Sequence, residues 1–541
     1  MMGPMSMPRP GGRAARGSAA VTAGLAVLLA VGACTSSGSP VPPTPAASSA
    51  STSASASSAS QPAGPVIPAA STLRWHACTG ELAQLRVPDC AMLSVPLNYA
   101  DPGGRHITLA LDMIPATAPA SQQQGIMLVN PGGPGGSGLT LALAVAQGMS
   151  AGVAADYDIV GFDPRGVGSS VPALSCDPSF FSGARPDYIP ANPAAEQVQI
   201  NLAKLYADDC QQKFGWLLPY MTTQDVARDL DSIRAAFGVS KINYYGFSYG
   251  TYLGQVYATL FPGRVRRMIL DSTVDPTGVW YADNIGQDYA FNLRQEAFYA
   301  WVARYDGVYQ LGGTAAAVQA AYARARRELA RNPVNGLIGP DELDDTVLAG
   351  DYDNGYWPVL AQALSSYLVF GATSDLVNQY SALGAQHENE YAVYHAVECS
   401  DVNWPRSWAY WTSDTELVYR TAPFEAWDNA WYNAACAFWP VRGPAKPLQI
   451  NGAGLPGILM LQGTLDGATP YAGAQDAHQR LPSARMVVVS GGGNHGQSLE
   501  VPPNSCVQRY VNAYFATGAL PDAPGPVNAT CPAVPDPTPG P

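Results

Sequence analysis

Ile242-Asn243-Tyr244-Tyr245-Gly246-Phe247-Ser248-Tyr249-Gly250 leads into Thr251 to Phe261, a stretch of helical character. An apolar run, then Gly-x-Ser-x-Gly, then a helix is the local order that sets a serine on a sharp strand-to-helix turn. The backbone folds tightly there and must present Oγ above the sheet, so the flanking residues have to be small. Gly246 and Gly250 meet that need. The stretch predicts a strand ending near Phe247, a helix starting near Tyr249, and Ser248 as a nucleophile between them.

Working outward, short apolar runs recur at Gly125–Val129, Tyr157–Phe162, Arg267–Leu270, Ile458–Leu461 and Met486–Val489. Helical stretches and glycine turns separate them. This alternation predicts an α/β fold, with a mostly parallel, doubly wound sheet covered on both faces. Ala91 to Pro115 alternates polar and apolar residues about Asp101-Pro102-Gly103-Gly104 and reads as an antiparallel hairpin opening the sheet. Between Asp275 and Leu448 the strand–glycine rhythm stops. Aromatic clusters such as Phe298-Tyr299-Ala300-Trp301 and helical periodicity over Val318 to Leu329 predict a helical cap inserted between sheet strands. The expected organisation is a core in 71–274 and 449–531, a cap in 275–448, and a flexible Pro-rich tail in 532–541.

A serine hydroxyl is a weak nucleophile at neutral pH. It needs a base within hydrogen-bond reach, and the base needs an orienting carboxylate. In α/β-hydrolases these follow in the order Ser, Asp or Glu, His. Of the 6 histidines, His495 follows the run Arg485–Ser490 and the glycines Gly491-Gly492-Gly493, on a loop that can reach over the sheet edge to Ser248. Upstream, Ile458-Leu459-Met460-Leu461-Gln462-Gly463-Thr464-Leu465-Asp466 reads as a strand ending in a turn. Asp466 there can accept the Nδ1 proton of His495 and fix its tautomer. Thr469 either supports this pair or caps the following helix. Asp271, after the strand that follows the elbow, is an alternative acid.

Acyl transfer also needs donors aimed at the developing oxyanion. The Tyr249 N–H, next to the nucleophile, is one. The loop Asn130-Pro131-Gly132-Gly133-Pro134-Gly135-Gly136-Ser137-Gly138 offers a second, Gly133 N–H, with Gly132 as the fallback. This loop lacks the Gly-Lys-Ser/Thr of a phosphate loop and the spacing of a dinucleotide fingerprint. In Gly161-Phe162-Asp163-Pro164-Arg165-Gly166, the charged residues Asp163 and Arg165 read as pins of a turn rather than as reacting groups.

Taken together, Asn-Pro-Gly-Gly-Pro-Gly-Gly-Ser-Gly from Asn130, Asp-Pro-Arg-Gly-Val-Gly-Ser-Ser from Asp163, Tyr-Gly-Phe-Ser-Tyr-Gly-Thr-Tyr-Leu-Gly from Tyr245 and Leu-Asp-Gly-Ala-Thr-Pro from Leu465 resemble the exported tripeptidyl aminopeptidases. These belong to the prolyl-aminopeptidase-like branch of the α/β-hydrolases. The resemblance runs from Trp75 to Cys531 and includes Trp75-His76-Ala77-Cys78 and Cys90-Ala91. It implies removal of short peptides from free N-termini, with Ser248, Asp466 and His495 as the triad. Pro131 stands where the prolyl aminopeptidases often carry histidine, so their proline specificity is not carried over. Reading a free N-terminus needs a carboxylate held off bulk water. Glu398 and Asp401, in Glu398-Cys399-Ser400-Asp401 of the cap, are the candidates.

The N-terminus predicts export. Arg9, Arg13 and Arg16 precede the apolar stretch Ala19 to Val31, which is short for a membrane span. Val31-Gly32-Ala33-Cys34 resembles a lipobox, which makes 1–33 a signal peptide and Cys34 the lipidated first residue. The other reading is a secreted protein with cleavage nearby. Residues 34–70, rich in Ser, Ala and Pro, predict a disordered tether. Setting Cys34 aside, the 9 cysteines leave Cys78, Cys90, Cys176, Cys210, Cys399, Cys436, Cys506 and Cys531, an even set that predicts disulfides in an exported chain. Pairing in sequence order closes the shortest loops. No CxxC or HxxxH spacing suggests a metal site.

The chain has 541 residues, 47% of them hydrophobic, a net charge of -13 and only 13% charged residues. That is ample for a large core, and it argues against nucleic acid and against charge-driven binding to anionic lipid. The sequence therefore predicts a cofactor-free serine exopeptidase acting on peptides with free N-termini, exported and touching membrane only through a lipid anchor. The alternatives are a carboxylesterase or lipase with the same triad, and a catalytically inactive binding lipoprotein.

Overall fold

The computed structural model describes residues 73–539. The expected signal peptide over 1–33, Cys34 and the tether over 34–70 lie outside the described residues. One sheet holds β1 (His76–Ala77), β2 (Asp89–Pro96), β3 (His106–Ile114), β4 (Ile126–Asn130), β5 (Asp158–Phe162), β6 (Ile242–Phe247), β7 (Val265–Asp271), β8 (Ile458–Gly463), β9 (Ala484–Ser490) and β10 (Ala529–Pro532). Their order across the sheet is β1-β2-β3-β5-β4-β6-β7-β8-β9-β10. The opening hairpin β2–β3 is antiparallel, as is its junction with β5. From β5 to β10 every pairing is parallel.

Side chains alternate between the two faces of the sheet. Leu128, Tyr244, Leu270 and Met460 pack on one face with Val226 and Leu230 of the helix Thr223–Ala236 and Val256 of the helix Tyr249–Leu260. Val129, Tyr245, Ile269 and Leu461 pack on the other with Val145 of Leu141–Gly148 and Val511 of Ser505–Thr517. All residues of β4, β6 and β8 are buried. Burial on both faces is why these strands read as unbroken apolar runs rather than as alternation.

The chain leaves the sheet at Asp271 and rejoins it at Ile458, where β8 pairs directly with β7. The intervening cap runs from the helix Tyr281–Arg304 to the helix Ala426–Asn433. It has a core of its own, built on Phe298, Trp301, Leu329, Trp357 and Leu360. Trp404, Trp408, Trp411 and Trp431 form a stacked series that packs the cap internally.

Two stretches differ from expectation. Part of 71–274, expected as hydrolase core, also packs against the cap. The helix Pro193–Phe214 puts Ile200 and Ala203 against Trp427, Trp431 and Ala434. Nearby, Arg185 pairs with Glu342 at 2.9 Å and with Asp345. The second difference is the tail. Beyond the strand Ala529–Pro532, which pairs with β9 at the end of the expected core, Trp301 Nε1 donates to the Pro537 carbonyl at 2.9 Å. Proline-rich sequence lacks donors for a ladder, but its carbonyls still accept.

The eight cysteines join in sequence order: Cys78–Cys90, Cys176–Cys210, Cys399–Cys436 and Cys506–Cys531. The first fastens the sheet edge, and the last holds the final helix to β10. Cys399–Cys436 ties the cap helix Glu388–Asp401 to the turn Ala434–Ala437.

Candidate active site

Ser248 sits between β6 and the helix Tyr249–Leu260 with φ 55° and ψ -129°. Such a backbone costs a non-glycine residue about 1–3 kcal/mol and persists only where surroundings enforce it. Here Ser248 N–H donates to Asp271 O at 3.1 Å, and Thr251 donates to Ser248 O through both N–H (2.8 Å) and Oγ1 (2.6 Å). A Cβ on Gly250 would stand 2.6 Å from Asn130 O, and one on Gly246 would run into Gly250 O. The pentapeptide's glycines thus permit close backbone approach on both sides of the serine.

Asp466 ends the turn after β8 and is 2% exposed. Its Oδ1 accepts Ala468 N–H and Thr469 N–H, each at 3.0 Å, and faces His495 Nδ1 at 3.0 Å. Oδ2 lies 3.1 Å from the same nitrogen. Burial alone would lower the His495 pKa. The Asp466 carboxylate, by its charge and its hydrogen bond, outweighs burial and raises it above the ordinary histidine value. His495 Nε2, the opposite ring nitrogen, is buried with no hydrogen-bond partner.

The loop carrying His495 is fastened from below by Asp271. Its Oδ1 accepts Gln497 N–H at 2.9 Å, and its Oδ2 accepts Ser498 N–H at 2.9 Å and Ser498 Oγ–H at 2.5 Å. Tyr245 OH donates in turn to Ser498 Oγ. Asp271 thus meets the loop two and three residues beyond the histidine, while the imidazole bonds to Asp466. Asp163 and Arg165 pin turns. Asp163 accepts from Ser137 Oγ and Ser169 N–H, and the fully buried Arg165 pairs with Asp229 through two 2.7 Å contacts.

Gly132 lies against the elbow, where a Cβ would meet Phe247 O at 2.7 Å and Ser248 Cβ at 2.8 Å. Its N–H donates to Asn130 Oδ1 at 3.1 Å, which removes it as an oxyanion donor. Gly133 and Tyr249, by contrast, line the same cavity as Ser248. Tyr249 is the first helical residue, and its N–H has no partner within the helix.

That cavity, of about 660 Å³, opens between the elbow and the cap. Asp283, Glu390, Glu398, Glu425 and Asp428 are on its wall, and no lysine or arginine of the described residues lines it. Three carboxylate oxygens, Asp283 Oδ2, Glu398 Oε2 and Glu425 Oε1, are buried without a partner. Burial holds Glu398 well above the usual carboxyl range, against hydrogen bonds from Tyr394 and Asn284 that lower it. The two sequence candidates part here. Glu398 faces the cavity. Asp401 does not line it, and its oxygens accept Thr223 N–H (2.7 Å), Thr223 Oγ1–H (2.5 Å) and Trp280 Nε1–H (3.3 Å). They share one side of the helix, but Asp401 is its last residue, about 4.5 Å further along the axis, where Thr223 and Trp280 meet it. Sequence reading missed Glu425 and Asp428. Their i, i+3 spacing in Phe424-Glu425-Ala426-Trp427-Asp428 was the available signal, since it puts both on one side of a helix. Among the described residues no group of His, Cys, Asp and Glu is arranged to hold a metal ion.

The tripeptidyl aminopeptidase of Streptomyces lividans is 42% identical over 471 residues, 84% of this chain and 87% of that protein. The chain belongs to the tripeptidyl aminopeptidase family. Residues 422–531 also match the family model described as TAP-like protein, an α/β-hydrolase family. Within this wider group, the serine protease Hip1 of Mycobacterium tuberculosis is 31% identical, covering 83% of this chain and 89% of that protein. Carboxylesterase B of the same organism is 31% identical, covering 85% and 90%. The chain is a serine hydrolase of peptidase type on an α/β-hydrolase fold.

Proposed function

We propose that the protein removes short peptides from substrates with a free N-terminus, through an acyl-enzyme on Ser248. Ser248 Oγ attacks the carbonyl carbon. His495 Nε2 takes the hydroxyl proton and gives it to the departing amine, so the peptide C–N bond breaks as the ester forms. Asp466 keeps Nδ1 protonated and stabilises the imidazolium. The oxyanion sits between Tyr249 N–H and Gly133 N–H. Water, deprotonated by His495, then releases the peptide. The steps call for no cofactor. Glu398 holds the substrate ammonium at the cap side, and the Asp401 carboxylate, held by Thr223 and Trp280, is left out of that role. Export as a Cys34-anchored lipoprotein, or secretion, accords with the four disulfides.

The observation that carries this reading is the cavity wall: buried carboxylate oxygens without partners, and no lysine or arginine facing them. An uncompensated buried carboxylate is costly, and a cationic ligand supplies what is missing. An ester offers the same nucleophile an easier leaving group, and one relative bears an esterase name, but nothing in a neutral ester matches that wall. The test uses the purified full-length chain. A fluorophosphonate should label Ser248, with labelling lost in Ser248→Ala, and Ala-Ala-Pro-anilide should yield intact Ala-Ala-Pro. Turnover of a short aryl ester with no peptide cut would overturn the proposal in favour of an esterase. Absence of labelling would favour a binding protein.

A further inference from the structure

Carboxylates gather at two places on the cavity wall. Glu398 lies with Asp283, near the start of the helix Tyr281–Arg304. Burial, then Asp275 and Glu398, raise the Asp283 carboxyl. Glu425 and Asp428 lie further along that helix, where Asn429 Nδ2 donates to Asp288 at 2.8 Å. Burial, then Asp428 and Asp288, raise the Glu425 carboxyl. Asp283 and Asp288 are five residues apart, about 7.5 Å along the axis. One ammonium cannot neutralise both places.

Glu425 is 4% exposed and lines the cavity, yet its Oε1 has no hydrogen-bond partner. Asp428, 6% exposed, lines the cavity beside it. Arg185, a half-buried cation whose charge reaches Asp428, is paired with Glu342 and Asp345. Two acids i, i+3 at the start of one helix, both near-buried and neither in an ion pair, with one Glu425 oxygen open, can receive a positive charge from outside, Glu425 foremost because Asp428 already has Tyr188 and the Arg185 charge near it.

We propose that Glu425 and Asp428 form a second cation site, which takes the lysine or arginine side chain of the substrate's N-terminal residue while Glu398 holds its α-ammonium. This rests on the peptidase reading above. The four-carbon stem of a lysine sets its ε-ammonium apart from the α-ammonium, as two separate acidic places require. The preferred substrates are then peptides whose first residue carries two positive charges.

The test compares Lys-Ala-Pro-anilide with Ala-Ala-Pro-anilide and with the Nε-acetyl-lysine analogue, all with free α-amines, on the full-length chain. The lysine peptide should be cut with kcat/KM about tenfold or more above both, the factor of one charge-assisted hydrogen bond. In Glu425→Gln and in Asp428→Asn the ratio of lysine to alanine peptide should fall towards one, whatever happens to overall turnover. Should a variant fail to fold, the acetyl-lysine comparison in the unaltered protein still decides. No preference for lysine there, or a ratio unmoved in both folded variants, overturns the second site. So does a uniform loss on every free-amine peptide, because the α-ammonium would then be what Glu425 holds. Failure to cut any of the three peptides would instead sink the peptidase reading itself.

Discussion

The main-chain N–H of His495 donates to the carbonyl oxygen of Tyr352, 2.7 Å away. One residue lies on the loop after β9 and the other ends the cap helix Pro340–Tyr352. The Tyr352 ring also meets the imidazole edge-on, with centroids 5.5 Å apart, and Asn494 Oδ1 accepts Asn354 N–H at 3.0 Å. The candidate base is thus gripped by the cap above and by Asp271 below. Where the cap sits decides where Nε2 points.

Asn494→Ala tests this grip. It leaves Asn354 N–H unpaired in a buried place, at a cost of about 1–3 kcal/mol. We expect kcat to fall about tenfold on peptide and ester alike, since positioning of a general base is worth rate for any acyl donor. A lowered Tm with kcat unchanged would mean that the bond serves stability alone.

Asp466→Asn and Asp271→Asn separate the two acids near His495. The first removes the partner of Nδ1 and should cost about four orders of magnitude in kcat, as loss of the orienting carboxylate does in other triads. The second releases Gln497 and Ser498 and should appear chiefly as a lower Tm. Steady-state kinetics beside thermal unfolding read both, and a reversed pattern would make Asp271 the triad acid.

The pH profile follows from the raised His495 pKa. Only the neutral imidazole is a base, so kcat/KM should rise with pH through a midpoint above about 6.5, the ordinary histidine value. Asp466→Asn removes the chief raising cause and leaves burial opposed only by the Asp271 charge, so the midpoint of its residual activity should drop. Stability runs the other way. The contribution of a group whose folded pKa is raised is full below its unfolded pKa and is lost as pH climbs through the folded one. A kcat/KM midpoint below 6 in the unaltered protein would contradict the assignment.

Gly132→Ala puts a methyl within 2.8 Å of Ser248 Cβ and 2.7 Å of Phe247 O, on a residue whose φ is +107°. Both the clash and the backbone penalise alanine. Fluorophosphonate labelling of Ser248 should be lost or slowed at least a hundredfold in a protein that still folds by circular dichroism.

The elbow, Asp466 and His495 were legible because each is set by its own few residues: a strand end, a turn, and glycines that let backbone pass close to backbone. The strands were legible for a related reason, since burial on both faces writes itself as an apolar run. The helix Pro193–Phe214 was not, because its partners Trp427 and Trp431 lie more than two hundred residues away in sequence. The docked tail was not, because Trp301 reaches it from the cap. Glu398 and Asp401 could not be told apart. They lie i, i+3 on the same side of one helix, and only the packing around its last turn, where Thr223 and Trp280 meet Asp401, separates their roles.

In the proposed reaction the carboxylate wall above Ser248 reads a free substrate ammonium. Hydrolysis of Ala-Ala-Pro-anilide beside its N-acetyl form tests it most directly, with Glu398→Gln in parallel. Acetylation should abolish cleavage, and Glu398→Gln should erase most of the difference between the two substrates. Equal cleavage of both forms by the unaltered protein would contradict it.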